Sequence, residues 1–294
     1  MFETVPVLLD TDIGSDIDDA VALSYLLRQP RCELLGITTV TGDVQRRASL
    51  AEIVCRAAGR GDIPIHCGRR DVLLYGHGQP HVPQFEAVAH LAGGLDRAEN
   101  SAVEFLRTAI RSRPGEVVLL TIGPFSNAAI LFAVDPEIPS LLKGIVSMGG
   151  RFFEGPPREW NVTCDPVSAA MVYNANRQSH TTFGLDVTMK CRLTKSEVAE
   201  RFKGQPLETI LLMANAWFER AEHMTFHDPL AAACIFAPEI CGYSQGRICV
   251  SVSTHKHLAG FTKLLADETG PDLVASSVDV DAFFTEFFGV LAGR

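Results

Sequence analysis

Short apolar runs alternate along this chain with longer stretches in which apolar residues return every third or fourth position. Val5–Leu9, Glu33–Val40, Ile63–His66, Glu116–Ile122, Lys143–Met148 and Thr181–Leu185 are runs of the first kind, set off by polar, Gly- or Asp-containing turns. Apolar runs of that length read as strands buried on both faces. The longer period predicts helices over Asp18–Leu27, Val44–Ala58, Ser101–Arg111, Asn127 to about Val134, Thr194–Phe202, Pro206–His223, His227–Phe236 and Asp281–Leu291. Asp165-Pro166 starts another, an N-cap followed by the residue best tolerated at the first helical position. Arg247–Val252 and Leu273–Val280 alternate as antiparallel or edge strands do. Strand, polar turn and helix in repetition predict an α/β fold, a mainly parallel sheet with a mixed edge and helices on both faces.

Two stretches interrupt the alternation. Residues 68–100 are rich in Gly, Pro and His and carry few periodic apolar positions, and 151–163 form a second polar loop. Long excursions in compact domains are commonly functional, so residues 68–100 are expected to form a lid over a site. No repeat, low-complexity segment or linker divides the 294 residues, which predicts one domain.

Composition narrows the partners. Net charge is -9 with Lys and Arg scattered, which argues against a nucleic-acid surface and an anionic membrane surface. No apolar run reaches bilayer length, and Met1–Val5 lacks the basic and apolar regions of a leader. Eight cysteines are spread without a C-x-x-C pair, as expected of reduced thiols in a cytoplasmic protein rather than of a zinc site.

The chemistry gathers at the first strand's end. Asp10, Asp12, Asp16, Asp18 and Asp19 place five carboxylates within ten residues, around the turn at Gly14. Caps and first-turn acids account for Asp18 or Asp19. They do not account for Asp10 and Asp12, at the carboxyl end of an apolar strand, where open α/β sheets bind ligands. Like charges so close require a positive partner, and a hard divalent cation held by oxygen fits.

Three further segments lie at strand ends or helix starts: Thr38-Thr39-Val40-Thr41-Gly42-Asp43; Met148-Gly149-Gly150 with Glu159-Trp160-Asn161 and Asp165-Pro166; and His227-Asp228-Pro229-Leu230. In this order and spacing the four segments resemble the inosine–uridine type nucleoside hydrolases from about Val5 to Leu291. The resemblance implies a Rossmann-like nucleoside hydrolase fold and calcium-dependent hydrolysis of the N-glycosidic bond of ribonucleosides. It also implies assembly as a homodimer or homotetramer. Carried across by position, Asp12, Asp19, Asp228 and the carbonyl of Ile122 match calcium ligands. Asp18, Asp43, Glu159 and Asn161 match groups that grip the ribose, and Met148 one packed against it. Asp12 also matches the acid that takes a proton from the attacking water, and His227 a residue beside the leaving base.

The residues also admit plainer roles. Asp228 before Pro229 and Asp165 before Pro166 make ordinary caps, Met148 suits a core, Asn127 suits a turn brace, and a lone His227 suits a structural contact. His77 could donate a proton to the base from the excursion, and Trp217 could stack on it or pack in its helix. The chain also departs from the family pattern. Ile13 replaces a proline, two extra residues lengthen the acid turn so that Asp16 competes with Asp18, Ile122 replaces a threonine, and Asp43 replaces an asparagine. Two rival readings accompany the hydrolase: an Asp-x-Asp phosphotransferase, and a non-catalytic or divergent riboside-binding relative on the same scaffold.

Overall fold

The computed structural model describes residues 4–94, 97–153, 155, 158–255 and 257–293. Its strands are β1 (Val5–Thr11), β2 (Cys32–Thr39), β3 (Ile65–Cys67), β4 (Val118–Thr121), β5 (Gly144–Met148), β6 (His180–Phe183), β7 (Arg192–Thr194), β8 (His223–Thr225), β9 (Cys241–Val250), β10 (Thr262–Ala266) and β11 (Asp272–Val278). The helices in the first half are α1 (Asp18–Arg28), α2 (Val44–Ala57), α3 (Gln84–Val88), α4 (Ala102–Ser112), α5 (Ser126–Val134) and α6 (Ile138–Leu141). Those in the second are α7 (Trp160–Cys164), α8 (Pro166–Tyr173), α9 (Leu185–Thr188), α10 (Lys195–Arg201), α11 (Leu207–Phe218), α12 (His227–Ala233) and α13 (Val280–Leu291).

Nine strands form one sheet in the order β10-β9-β11-β6-β5-β4-β1-β2-β3, and β7 pairs with β8 separately. From β3 to β11 neighbours run parallel; β9 and β10 add an antiparallel edge. Successive residues of β1 feed opposite faces. Val7 and Leu9 pack with Ile37, Leu120 and residues of α1, α11, α12 and α13, while Leu8 packs with Leu119, Ile145 and residues of α4, α5 and α8. Covered faces explain why these strands read as continuous apolar runs. The order reverses between β1 and β4, which pair in register at Leu9–Leu120 and Asp10–Thr121, so a crevice opens beyond their carboxyl ends.

The expected α/β architecture, single domain and mixed edge are present. Boundaries differ where local chemistry overrides periodicity. The polar loop 151–163 contains the start of α7, because the Glu159 carboxylate accepts the amides of Asn161 and Val162 and caps a five-residue helix too short to show a period; residues 154, 156 and 157 of that loop lie outside the described residues. The helix expected over Pro206–His223 ends at Phe218, and His223 begins β8. The excursion buries Val82, Phe85 and Val88 in the main core and carries α3, which packs on α11; its residues 95 and 96 lie outside the described residues. The leader reading falls in part on residues 1–3, also outside them. Among the described residues no helix is long and apolar enough to cross a membrane, and all eight cysteines are unpaired.

Candidate active site

A cleft of about 550 Å3 opens at the switch point. Its floor is the turn after β1. Gly14 makes this turn possible: its φ is +117°, and a Cβ there would lie 2.4 Å from Val82 and 2.6 Å from Leu50. Thr11 then ties the turn to α1. Its hydroxyl donates to Asp19 at 2.5 Å and accepts the Ile13 amide at 3.1 Å. From the far side of the fold, the Asp228 amide donates to the Asp18 carboxylate at 3.0 Å, joining the first turns of α12 and α1.

Carboxylate oxygens of Asp18, Asp19 and Asp228 lie within 4.8 Å of one another, all buried. Asp12 and Asp16 line the same cleft. Burial pushes the Asp18, Asp19 and Asp228 carboxyls well above their ordinary range, and repulsion from neighbouring acids pushes the same way. Burial likewise raises Asp12, against the pull of Arg47, and takes Asp16 to about 7. The sequence expectation grouped Asp12, Asp19 and Asp228 as ligands and gave Asp18 to the sugar; in the fold Asp18 stands in the tight trio, and Asp12 beside it.

Arg47 was not singled out from the sequence, where a lone arginine in an amphipathic helix reads as solvated. Its guanidinium is wholly buried beneath the acid turn. It donates to the carbonyls of Asp12, Thr41, Ile13 and Gln79, and so clamps the turn to the excursion. The signal was its position, within the buried stripe Val44-Ala48-Ala51-Cys55 and not opposite it.

The opposite wall comes from β4, β5 and α7. Asn161 spends both amide protons on the carbonyls of Ile122 (2.8 Å) and Met148 (3.2 Å), leaving its oxygen for the cleft. Glu159 accepts the amides of Asn161 at 2.6 Å, Val162 at 2.9 Å and Gly150 at 3.1 Å, and burial lifts it to about 7. Met148 and Ile122 line the cleft beside them. His227 lines it too, its Nδ1 2.7 Å from the Thr188 hydroxyl, and burial pushes the imidazole down to about 4. Trp217 lines the cleft as well.

Two sequence-selected residues are placed elsewhere. Asp43 caps α2 by accepting the Arg46 amide at 3.1 Å and pairs with the Arg46 side chain, so its carboxylate is spent outside the cleft. His77 packs against Trp160, with ring centroids 4.5 Å apart and planes tilted by 48°, and sits 3.6 Å from the Cys164 thiol; Gln79 and His81 reach the cleft in its stead. Trp160, half-exposed between two expected sugar contacts, also lines the cleft. Asp165 is a cap, accepting the Ser168 amide at 3.1 Å, and Asn127 braces Asp10 at 2.7 Å.

This architecture, an open parallel sheet with an acid-lined crevice at the switch point, is that of the nucleoside hydrolase fold. A purine-preferring ribonucleoside hydrolase from Gardnerella vaginalis superposes with a TM-score of 0.85 over 98% of both chains at 24% identity. The chain belongs to the inosine-uridine preferring nucleoside hydrolase family, whose profile it matches over residues 7–285. It is 29% identical to uridine nucleosidase 1 of Arabidopsis thaliana, over 87% of this chain and 80% of that protein. It is also 29% identical to the pyrimidine-specific ribonucleoside hydrolase RihA of Klebsiella pneumoniae, over 80% of this chain and 81% of that one. Family membership makes the chain an N-ribosyl hydrolase and sets aside the phosphotransferase reading.

Proposed function

We propose that this protein hydrolyses the N-glycosidic bond of ribonucleosides to ribose and free base, with calcium as resident cofactor. The observation that carries this reading is the convergence of the buried Asp18, Asp19 and Asp228 carboxylates to within 4.8 Å of one another, in a cleft that Asp12 also lines. The residues fit a calcium ion. The donors are all hard oxygens, they are buried, and among the described residues Arg47 is the one buried guanidinium facing them. Asp12, Asp19, Asp228 and the Ile122 carbonyl would hold the ion, with Asp18 in the same reach. When bound, the ion supplies positive charge and Lewis acidity toward the ribose hydroxyls and the attacking water.

The chain's own groups do the rest. Asp12, at the floor, takes the proton from the attacking water. The Asn161 oxygen and Glu159, each fixed by backbone hydrogen bonds, meet the sugar hydroxyls, so a deoxyribose would leave buried polar groups unpaired. Surplus negative charge around the ring stabilises the oxocarbenium-like transition state. His227 lies at the leaving base, Trp217 offers a face on which it stacks, and Gln79, His81 and Pro83 line the cleft from the excursion. Assembly as a homodimer or homotetramer and a cytoplasmic location belong to the same proposal. They are supported by the family likeness and by eight unpaired thiols.

The test is a panel of inosine, adenosine, guanosine, uridine and cytidine read by free ribose. Ribose release from at least one supports the reading. Tight binding of ribosides without any release would make the protein a binder on a hydrolase scaffold.

A further inference from the structure

We propose that Cys234 and Cys241 form a modification site, a dithiol that hydroperoxides convert to a disulfide in the folded protein, and that this bond slackens the cleft through α12. The functional half of the inference rests on the calcium reading above. The Cys234 Sγ lies 3.8 Å from the Cys241 Sγ, the one thiol-to-thiol hydrogen bond among the described residues. A disulfide needs about 2.05 Å, so the sulfurs have less than about 2 Å to close. Each of the two residues keeps 7% of its surface exposed, whereas Cys67, Cys164 and Cys191 keep none. The segment that joins them, residues 235–240, lies beside a surface groove lined by Ala237, Glu239 and Ile240.

The two sulfurs are held unequally. Cys241 opens β9, pairs with Val278 of β11 and is thereby fixed in the nine-stranded sheet. Cys234 caps the C-terminus of the seven-residue α12, its amide donating to the Leu230 carbonyl at 3.1 Å. A bond between them therefore draws the helix toward the sheet and not the reverse. The helix packs on α1, and its first turn carries His227 and Asp228, with the Asp228 amide donating to Asp18 at 3.0 Å. Cys234 stands about 9 Å beyond Asp228 along the helix axis. A displacement at the cap thus reaches the acid trio along one rigid element.

The oxidation takes two steps. The thiolate of one cysteine attacks a peroxide oxygen, the O–O bond breaks, and the departing alkoxide or hydroxide takes up the thiol's proton. The second sulfur then attacks the sulfenic acid, the S–S bond forms, and its proton leaves with the hydroxyl as water. Two thiols and one hydroperoxide thus give one disulfide, one alcohol (water from hydrogen peroxide) and one water, with two electrons passing from sulfur to oxygen. The Cys241 contact and then burial hold the Cys234 thiol above its ordinary value, so the first step is slow at neutral pH and quicker in mild alkali.

The experiment treats folded wild type and Cys241→Ser with hydrogen peroxide in mild alkali and maps the cysteines by peptide mass spectrometry. Amide hydrogen exchange over residues 226–233 and calcium titration are compared before treatment, after it, and after dithiothreitol. Wild type should yield a linked Cys234–Cys241 peptide lighter by two hydrogen atoms and exchange faster in the first turn of α12. It should also bind calcium at least about fivefold more weakly, and dithiothreitol should restore all three. Cys241→Ser should form no such link and keep its exchange rates and calcium affinity under the same treatment; if that variant does not fold, the wild-type arms decide alone. Thiols left unlinked, or carried only to sulfinic or sulfonic acid, would overturn the proposal, as would a linked peptide with α12 exchange unchanged. Reduced wild type that takes up no calcium would instead sink the calcium reading, while mapping and hydrogen exchange would still decide the bond and its effect on α12.

Discussion

The two walls of the cleft are built on opposite plans. The sugar-side wall and floor are buried side chains whose polar atoms are nearly all spent on one another: Thr11 on Asp19, Asp18 on the Asp228 amide, Asn161 on two carbonyls, Glu159 on three amides. The base-side wall is a solvent-open turn and the excursion, where the side chains of Arg220, Gln79 and His81 make no hydrogen bond among the described residues. Rigidity sits where bonds are broken, and adaptability where the base is chosen. A preorganised floor reacts alike with any riboside, and a loosely bonded rim allows the choice of base to change without disturbing it.

Breaking the floor should therefore cost far more than altering the rim. The largest effect is expected from Asp12→Ala, which should lower kcat for the best riboside by about 10²–10⁴-fold while leaving circular dichroism unchanged. A near-wild-type rate would remove Asp12 from the mechanism. Arg47→Met should next lower unfolding free energy by about 3–5 kcal/mol, because it strands the carbonyls of Asp12, Thr41 and Gln79 and leaves the acids without their buried counter-charge. Denaturant titration checks this, and a loss within error would show that the turn stands without its clamp.

At the rim, Trp217→Ala should raise KM by about 3–10-fold with kcat little changed. A fall in kcat alone would move Trp217 to the floor's side of the comparison.

The smallest effect concerns His180, buried behind the sugar-side wall with Nε2 2.7 Å from the Ser147 hydroxyl. Burial, and secondarily Arg177, hold this imidazole well below its ordinary value. The folded chain keeps it neutral where the unfolded chain takes a proton. Stability contributed at neutral pH is thus lost as pH falls below about 6.5, by up to roughly 1.4 kcal/mol per pH unit. His180→Gln should flatten that slope between pH 7 and 5; an unchanged slope would mean that other groups carry it.

The same contrast governs what could be read before folding. The sheet was legible because β1, β4 and β5 are covered on both faces and show it as unbroken apolar runs. The floor was legible because Asp10, Asp12 and Asp19 sit where an apolar strand ends and a helix begins. Position along a helix face was not weighed for Arg47, so a buried cation passed as a surface one. Asp43 and His77 had the right type and neighbourhood, but the fold sets Asp43 as a cap on α2 and packs His77 against Trp160. The rim was least legible, since Arg220 and His81 come to line one cleft through the packing of α3 on α11, which no local pattern encodes.

The claim beneath all of this is that the buried acids are held together by one cation. Calorimetric titration of chelator-treated protein with calcium, in wild type and Asp228→Asn, tests it without reference to turnover. The account predicts one ion bound per chain, a melting temperature that rises with calcium concentration by mass action, and loss of both in the variant. Full thermal stability with no calcium uptake in wild type would contradict it.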